Sequence, residues 1–208
     1  MPASTARSTL PYPVAADPAD VPKDVKALAD RLDLLLPASG AALPGSPVDG
    51  EECTIIADAT NGVAWRFKYR AASAAASKWE FVGGAPLSHE VPASETRATA
   101  SYGGLTTVGP SLTVPLAGDY LISIGANIES SLTAGWRGRM TFSGTDAYSV
   151  WSSGYGNPSA SPGDGASVAR TARTTLAAQS IVCQYKSDAG NAVAFANRWM
   201  TILPVRVG

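Results

Sequence analysis

The stretch GDYLISIGANIES, residues 118–130, decides the fold. Tyr120, Ile122, Ile124, Ala126 and Ile128 recur at every second position, with Ser123, Gly125, Asn127 and Glu129 between them. A period of two belongs to a strand that turns one face to a core and the other outward. The same grammar repeats on both sides, in SLTVPL (111–116), GWRGRMTFSG (135–144), DAYSVWSS (146–153), ASVARTARTTL (166–176), AQSIVCQYKS (178–187) and NAVAFANRWMTILPVRV (191–207). Gly, Pro, Asn, Asp and Ser separate these runs, and no 3.6-residue period competes over a helical length. Residues 88–208 therefore read as an all-β sandwich or barrel, with a jelly-roll-like sandwich the expected form. Its last strand is apolar on both sides, with Val193, Phe195, Trp199, Thr201 and Leu203 set against Ala194, Ala196, Met200 and Ile202. Such a strand is expected to be buried inside the domain or by another subunit.

Upstream, residues 41–87 read as a small β-meander. ECTIIADA (52–59) and VAWRFKYR (63–70) flank Asn61-Gly62, a hairpin signal because both turn residues are expected to take positive φ. Trp65, Phe67 and Tyr69 share one face of the second strand, and SKWEFVGG (77–84) supplies a third. The stretch GGAPLSHEVPASE (83–95) loosens the chain before the sandwich begins. Residues 1–40 are an arm and a helix. Pro11, Pro13, Pro18 and Pro22 hold the arm extended. In VKALADRLDLLLP (25–37), Val25, Leu28, Leu32 and Leu35 recur at spacings of three, four and three, the seam of two heptads. Asp20 is the expected N-cap, Pro22 and Asp24 suit the first turn, and Pro37 ends the helix. The backbone entropy of ordering it exceeds what four aliphatic side chains return, so the seam needs a partner.

Composition narrows the function. The 208 residues carry 16 Lys plus Arg and 17 Asp plus Glu, spread evenly along the chain. Polyanion binding draws on clustered cations, so no nucleic-acid partner is expected. Arg137, Arg139, Arg170 and Arg173 could form a local patch, but their spacing reads more simply as a solvated face. No apolar run reaches the roughly 18 residues of a span, which argues against membrane insertion, and the first residues lack the apolar core of a signal peptide. Cys53 and Cys183 sit in β-branched surroundings and read as two buried thiols rather than a disulfide. With them, the single His89 falls short of a tetrahedral metal site, and no cofactor is expected.

Three local patterns carry a resemblance. LPYPVAADPADVPKDVKALADRLD resembles the N-terminal arm and helix of fibre-like and minor structural proteins of tailed bacteriophages. PGSPVDGEECTIIADATNGVAWRFKYR followed by KWEFVGG resembles a small β-module of the same proteins. VPLAGDYLISIGANI, with NRWMTILPVRV, is similar to the first and last core strands of jelly rolls of the C1q and tumour-necrosis-factor type at fibre tips. The resemblance implies a homotrimer built on the helix, an arm bound to other virion proteins, a jelly-roll-like tip facing outward, and residence in the virion after synthesis in the host cytoplasm.

Catalysis finds little support. His89, the only imidazole, lies in the linker rather than at a strand end, and Asp119, Glu129, Asp146, Asp164 and Asp188 read as turn formers rather than a hydrolytic pair. One stretch invites a ligand. In DAYSVWSSGYGNPSASPGDG (146–165), Tyr148, Trp151 and Tyr155 alternate with Ser, Gly and Asn, a mixture that suits the C–H faces and hydroxyls of host-surface carbohydrate. Trp151 has a second reading, as a core residue of a strand ending at Ser153. The expected function is thus a non-enzymatic virion structural protein with a glycan-binding tip. The alternatives are a polysaccharide-degrading tip and a cellular carbohydrate-binding module.

Overall fold

The computed structural model describes residues 3–4, 11–12, 21–35, 38–40, 42–130, 136–153 and 165–208, with the backbone alone described at 3–4, 11–12, 21, 30–35, 38–39 and 165. The order of elements is β1 (Ala3–Ser4), β2 (Pro11–Tyr12), α1 (Val21–Leu35), β3 (Ala38–Gly40), β4 (Glu52–Asp58), β5 (Val63–Tyr69), β6 (Trp79–Gly84), β7 (Leu87–Val91), β8 (Glu95–Arg97), β9 (Ser111–Val114), β10 (Gly118–Glu129), β11 (Arg137–Thr141), a 3-10 turn at Asp146–Tyr148, β12 (Val150–Ser153), β13 (Gly165–Leu176), β14 (Gln179–Val182), β15 (Gln184–Ser187) and β16 (Val193–Val207). The fold is mainly β, with a single α-helix among the described residues.

The alternation in 118–130 builds the centre of the largest sheet. β10 pairs antiparallel with β13 on one side and β16 on the other, and the nine-stranded sheet runs β13-β10-β16-β6-β5-β4-β3, with β7 and β8 also paired to β16. Tyr120, Ile122, Ile124, Ala126 and Ile128 are all buried, as their period requires. Two smaller sheets, β12-β11-β15 and β14-β9, cover the inner face. The layers meet closely at Gly138 of β11, where an added Cβ would come within 2.5–2.6 Å of Val193 and Ile128. Tyr185 of β15 packs against Phe195 of β16 with ring centroids 5.0 Å apart.

The meander is part of this sheet. β6 pairs with β16 through Glu80↔Arg206 and Trp79↔Val207, and Cys53, Ile55, Trp65, Phe67 and Trp79 belong to the same buried cluster as the β10 residues. Trp65 is fully buried, donates from Nε1 to the Ala85 carbonyl at 2.9 Å, and meets Phe67 and Tyr120 at 6.3 and 6.1 Å. A sheet and a core thus run across residue 87. The stretch 83–95, expected to be a linker, instead holds all of β7 and the first residue of β8: β7 pairs Leu87↔Ile202 through Val91↔Arg198, and β8 pairs Glu95↔Phe195. Its prolines lie outside both strands, where a missing N–H costs no ladder bond.

Two local expectations change. At the β4–β5 turn only Gly62 takes positive φ, at 67°, because Asp58 organises the loop by accepting the Thr60 and Asn61 amides at 2.9 and 3.1 Å. In β16 the alternation breaks at Asn197, which has φ 46°, beside a register shift opposite Gly125–Asn127. The extra residue moves Trp199 to the outer face and turns Arg198 inward. Arg198 is fully buried, with Glu95 at 3.3 Å and the Ala93 carbonyl at 3.3 Å, and its guanidinium lies 5.4 Å from the Tyr185 ring centre. Outside, the Trp199 indole lies over Gly125, where a Cβ would stand 2.5–2.6 Å from three ring atoms.

The helix seam is uncovered where its side chains are described: Val25 is 58% exposed and Leu28 37%. Pro22 and Asp24 lie in the first turn as expected. The side chains of Leu32 and Leu35, and the expected cap Asp20, lie outside the described residues.

Candidate functional site

The three residues proposed from sequence separate in the structure. Trp151 stands on β12, directly opposite Arg139 of β11, and Arg139 in turn faces Lys186 of β15. Side chains at such positions share a face, so Trp151 turns toward the two cations while its neighbour Val150 is buried in the core. Of the two readings of Trp151, the structure selects the exposed one: half of its surface, 50%, is open. Tyr148 is half-buried in the 3-10 turn and stacks on Phe142, with centroids 5.2 Å apart and planes at 16°. Its ring has the Arg170 guanidinium at 5.9 Å. Tyr155 lies outside the described residues.

Trp151 is held by charge. The Arg137 guanidinium lies over its ring at 4.9 Å, a contact that fixes the indole while leaving it exposed. Behind it runs an ion-pair network. Asp188 accepts from Arg139 at 2.7 Å and Lys186 at 3.2 Å, with Arg137 at 3.8 Å, and Asp146 accepts from Lys186 at 2.9 Å and from the Tyr102 hydroxyl at 2.7 Å. The Tyr102 hydrogen bond, followed by that of Lys186, holds the Asp146 carboxyl below its ordinary value. Burial, reinforced by Asp146, pushes the Tyr102 phenol up.

Beside this face, the edge of the three-stranded sheet approaches the edge of the nine-stranded one. Ser149, Val150 and Trp151 on one side, and Ser167, Val168, Ala169 and Arg170 of β13 on the other, enclose a groove of about 500 Å³. An indole and a guanidinium therefore border one opening, while the Ser149 hydroxyl donates to the Asp146 carbonyl at 3.0 Å and the Ser167 hydroxyl to Asn127 Oδ1. That combination offers stacking for an apolar ring face together with guanidinium donors for ligand oxygens. A second depression of about 550 Å³ lies where Asp58, Asn61, His89, Glu90 and Ser111 meet. There His89 Nδ1 sits 2.9 Å from both the amide nitrogen and the carbonyl oxygen of Ser111, so the imidazole joins β7 to β9. Among the described residues no group of three or more His, Cys, Asp or Glu side chains could hold a metal ion. Both cysteines are free and buried, and burial raises the Cys53 and Cys183 thiols to about 11 and about 12. No described helix is long and apolar enough to cross a membrane.

In the sequence Arg137, Arg139, Arg170 and Arg173 read as a solvated face, and nothing there ties Lys186, Asp188, Asp146 or Tyr102 to Trp151. The pairing of β11 with both β12 and β15 creates the site. Nothing in the spacing along the chain announces that β15, some 45 residues downstream, will lie beside β11.

No protein-family model and no curated protein matches the chain. Three solved structures illustrate the distant likenesses. Eiger TNF from S. frugiperda aligns at 15% identity over 47% of this chain and 66% of that one, just under two thirds of its length, with a TM-score of 0.32. The CBM35 of Cellvibrio japonicus Abf62 aligns at 9% identity over 60% and 100% of the two chains, with a TM-score of 0.33. The carbohydrate-binding module CBM6cm-2 of Cellvibrio mixtus lichenase 5A, in complex with cellotriose, aligns at 15% identity over 56% and 99%, with a TM-score of 0.24. Likenesses at this level carry nothing about ligand or partner, which rest on the residues of the groove.

Proposed function

We propose that the chain is a non-enzymatic glycan-binding β-domain carried on an N-terminal anchor, and that it serves as a trimeric fibre or minor appendage of a tailed-bacteriophage virion. The observation that carries the binding function is Trp151. A tryptophan that is half exposed, held by an arginine and set in the lining of a groove with Arg170 is a platform on which a pyranose ring can stack. Burial does not explain its place in the fold. The anchor is supported by Val25 and Leu28, the two seam residues whose side chains are described, since apolar side chains left exposed at heptad spacing are suited to copies of the same helix or to a receiving protein. The resemblance of the arm, helix and meander to tailed-phage structural proteins supplies the setting.

The test is a glycan array probed with the protein and with Trp151→Ala. Binding to a defined set of glycans should vanish in the variant, while the thermal midpoint falls by less than for a fully buried tryptophan because the lost ring was already half in water. Undiminished binding in a stably folded variant, or a large loss of stability, would remove Trp151 as the contact.

A further inference from the structure

Arg170 is the one charged residue in the lining of the groove beside Trp151. Beyond that lining stand three further cations, Arg137, Arg139 and Lys186, with two carboxylates, Asp146 and Asp188. Both carboxylates are engaged by Arg139 and Lys186, with Arg137 also near Asp188. Arg170 differs from the others. Its Nη1 reaches only the Ser149 carbonyl, at a long 3.4 Å, its guanidinium faces the Tyr148 ring, and among the described residues no carboxylate pairs with it. The carboxylates of the neighbouring β10, Asp119 and Glu129, stand opposite Thr175 and Gly165. Each is thus five positions along β13 from Arg170, about 17 Å away and on the other face of the sheet.

We infer that the saccharide bound in this groove is acidic: a carboxylate-bearing polysaccharide whose sugar ring stacks on Trp151 while its carboxylate is received by Arg170. This rests on the glycan-binding reading of the same groove. The chemistry follows from the guanidinium, which presents paired donors to a carboxylate and is less strongly hydrated than an ammonium. Its position on the rigid central part of β13, rather than on a loop, fixes where the acid sits relative to the ring. A neutral glycan offers Arg170 only uncharged hydroxyl acceptors. An acidic one gains a charge-assisted pair with the exposed Arg170 guanidinium, stronger than a hydrogen bond to a neutral hydroxyl.

The test measures binding of the full chain to alginate, polygalacturonate, hyaluronate and polysialate, to neutral dextran, galactan and cellulose oligomers, and to dextran sulfate. Any polymer that binds is measured again after reduction of its carboxyl groups. Binding should be confined to carboxylated polymers, weaken as salt rises, and fall about tenfold or more both on carboxyl reduction and in Arg170→Gln, with an unchanged melting temperature. Absence of binding to every carboxylated polymer, equal binding of the reduced forms, or full binding by Arg170→Gln overturns the inference. Dextran sulfate binding as tightly as the carboxylates also overturns it, since charge accumulation alone would then suffice. A neutral polymer bound through Trp151 overturns the acidic preference and leaves glycan binding standing, whereas binding indifferent to Trp151→Ala removes both.

Discussion

Trp65→Ala asks whether the meander and the rest of the β-structure are one folding unit. Trp65 is fully buried, bonds to the Ala85 carbonyl, and touches Phe67 within the meander and Tyr120 on the central strand β10. Truncating a buried tryptophan costs about 3–5 kcal/mol through lost transfer energy and the cavity left behind. At about 2–4 °C per kcal/mol for a chain of this length, the thermal midpoint should fall by roughly 6–20 °C. The two buried thiols give the assay its spatial resolution. Cys53 lies on β4 in the meander, and Cys183 between β14 and β15 on the opposite layer. Both should resist thiol reagents until the protein unfolds, because each is buried and its thiol is pushed far above neutral pH. Labelling along a denaturant series should give coincident midpoints for the two cysteines in the native protein, and equal shifts in the variant. Early labelling of Cys53 with Cys183 unmoved would refute the shared core and leave the meander as an independent module.

Further outcomes follow from other parts of the structure. Gly125→Ala places a methyl group against the Trp199 indole and should cost about 1–3 kcal/mol with a change in tryptophan fluorescence; unchanged stability would mean that the indole does not need the glycine. Acid should destabilise the fold, because Glu52 (by Lys68), Glu95 (by Thr107) and Asp146 (by Tyr102) are held below their ordinary values. Depressed carboxylates contribute stability above their unfolded values, so denaturation midpoints should be flat above about pH 5 and fall as pH drops through the ordinary 4.5 and 3.8 and below. A midpoint constant from pH 6 to about pH 3 would contradict these assignments. Replacing Leu28 and Leu32 together by Asp should convert a trimer into a monomer by light scattering while far-ultraviolet circular dichroism keeps its β signature; a native protein already monomeric at micromolar concentration would remove the trimer.

What was legible in the sequence is what local periodicity encodes. The inward set of β10 and the aromatic row of Trp65 and Phe67 lie where their alternation put them. What was not legible depends on partners distant in sequence. His89 reads as a linker residue because Pro86 and Pro92 flank it, yet the segment between them is a full strand completed by β16. Trp199 was placed with Phe195 because alternation carries no sign of the bulge at Asn197, where the buried Arg198 and its carboxylate replace a hydrophobic residue. At the site, Trp151 could be counted inward or outward from a strand of four residues, too short for a period to declare its face. Arg139 and Lys186 beside it settle the direction, and only strand pairing reveals them.

The glycan-binding reading stands or falls on which tryptophan meets the ligand. Protein labelled with 5-fluorotryptophan gives one fluorine resonance for each of its five tryptophans, and single Trp→Phe variants assign them. Titration with a glycan recovered from the array should shift the Trp151 resonance progressively and leave those of the buried Trp65, Trp79 and Trp136 in place. A shift confined to Trp199, on the outer face of the large sheet, or no shift at any tryptophan under saturating ligand, would contradict the assignment of the groove.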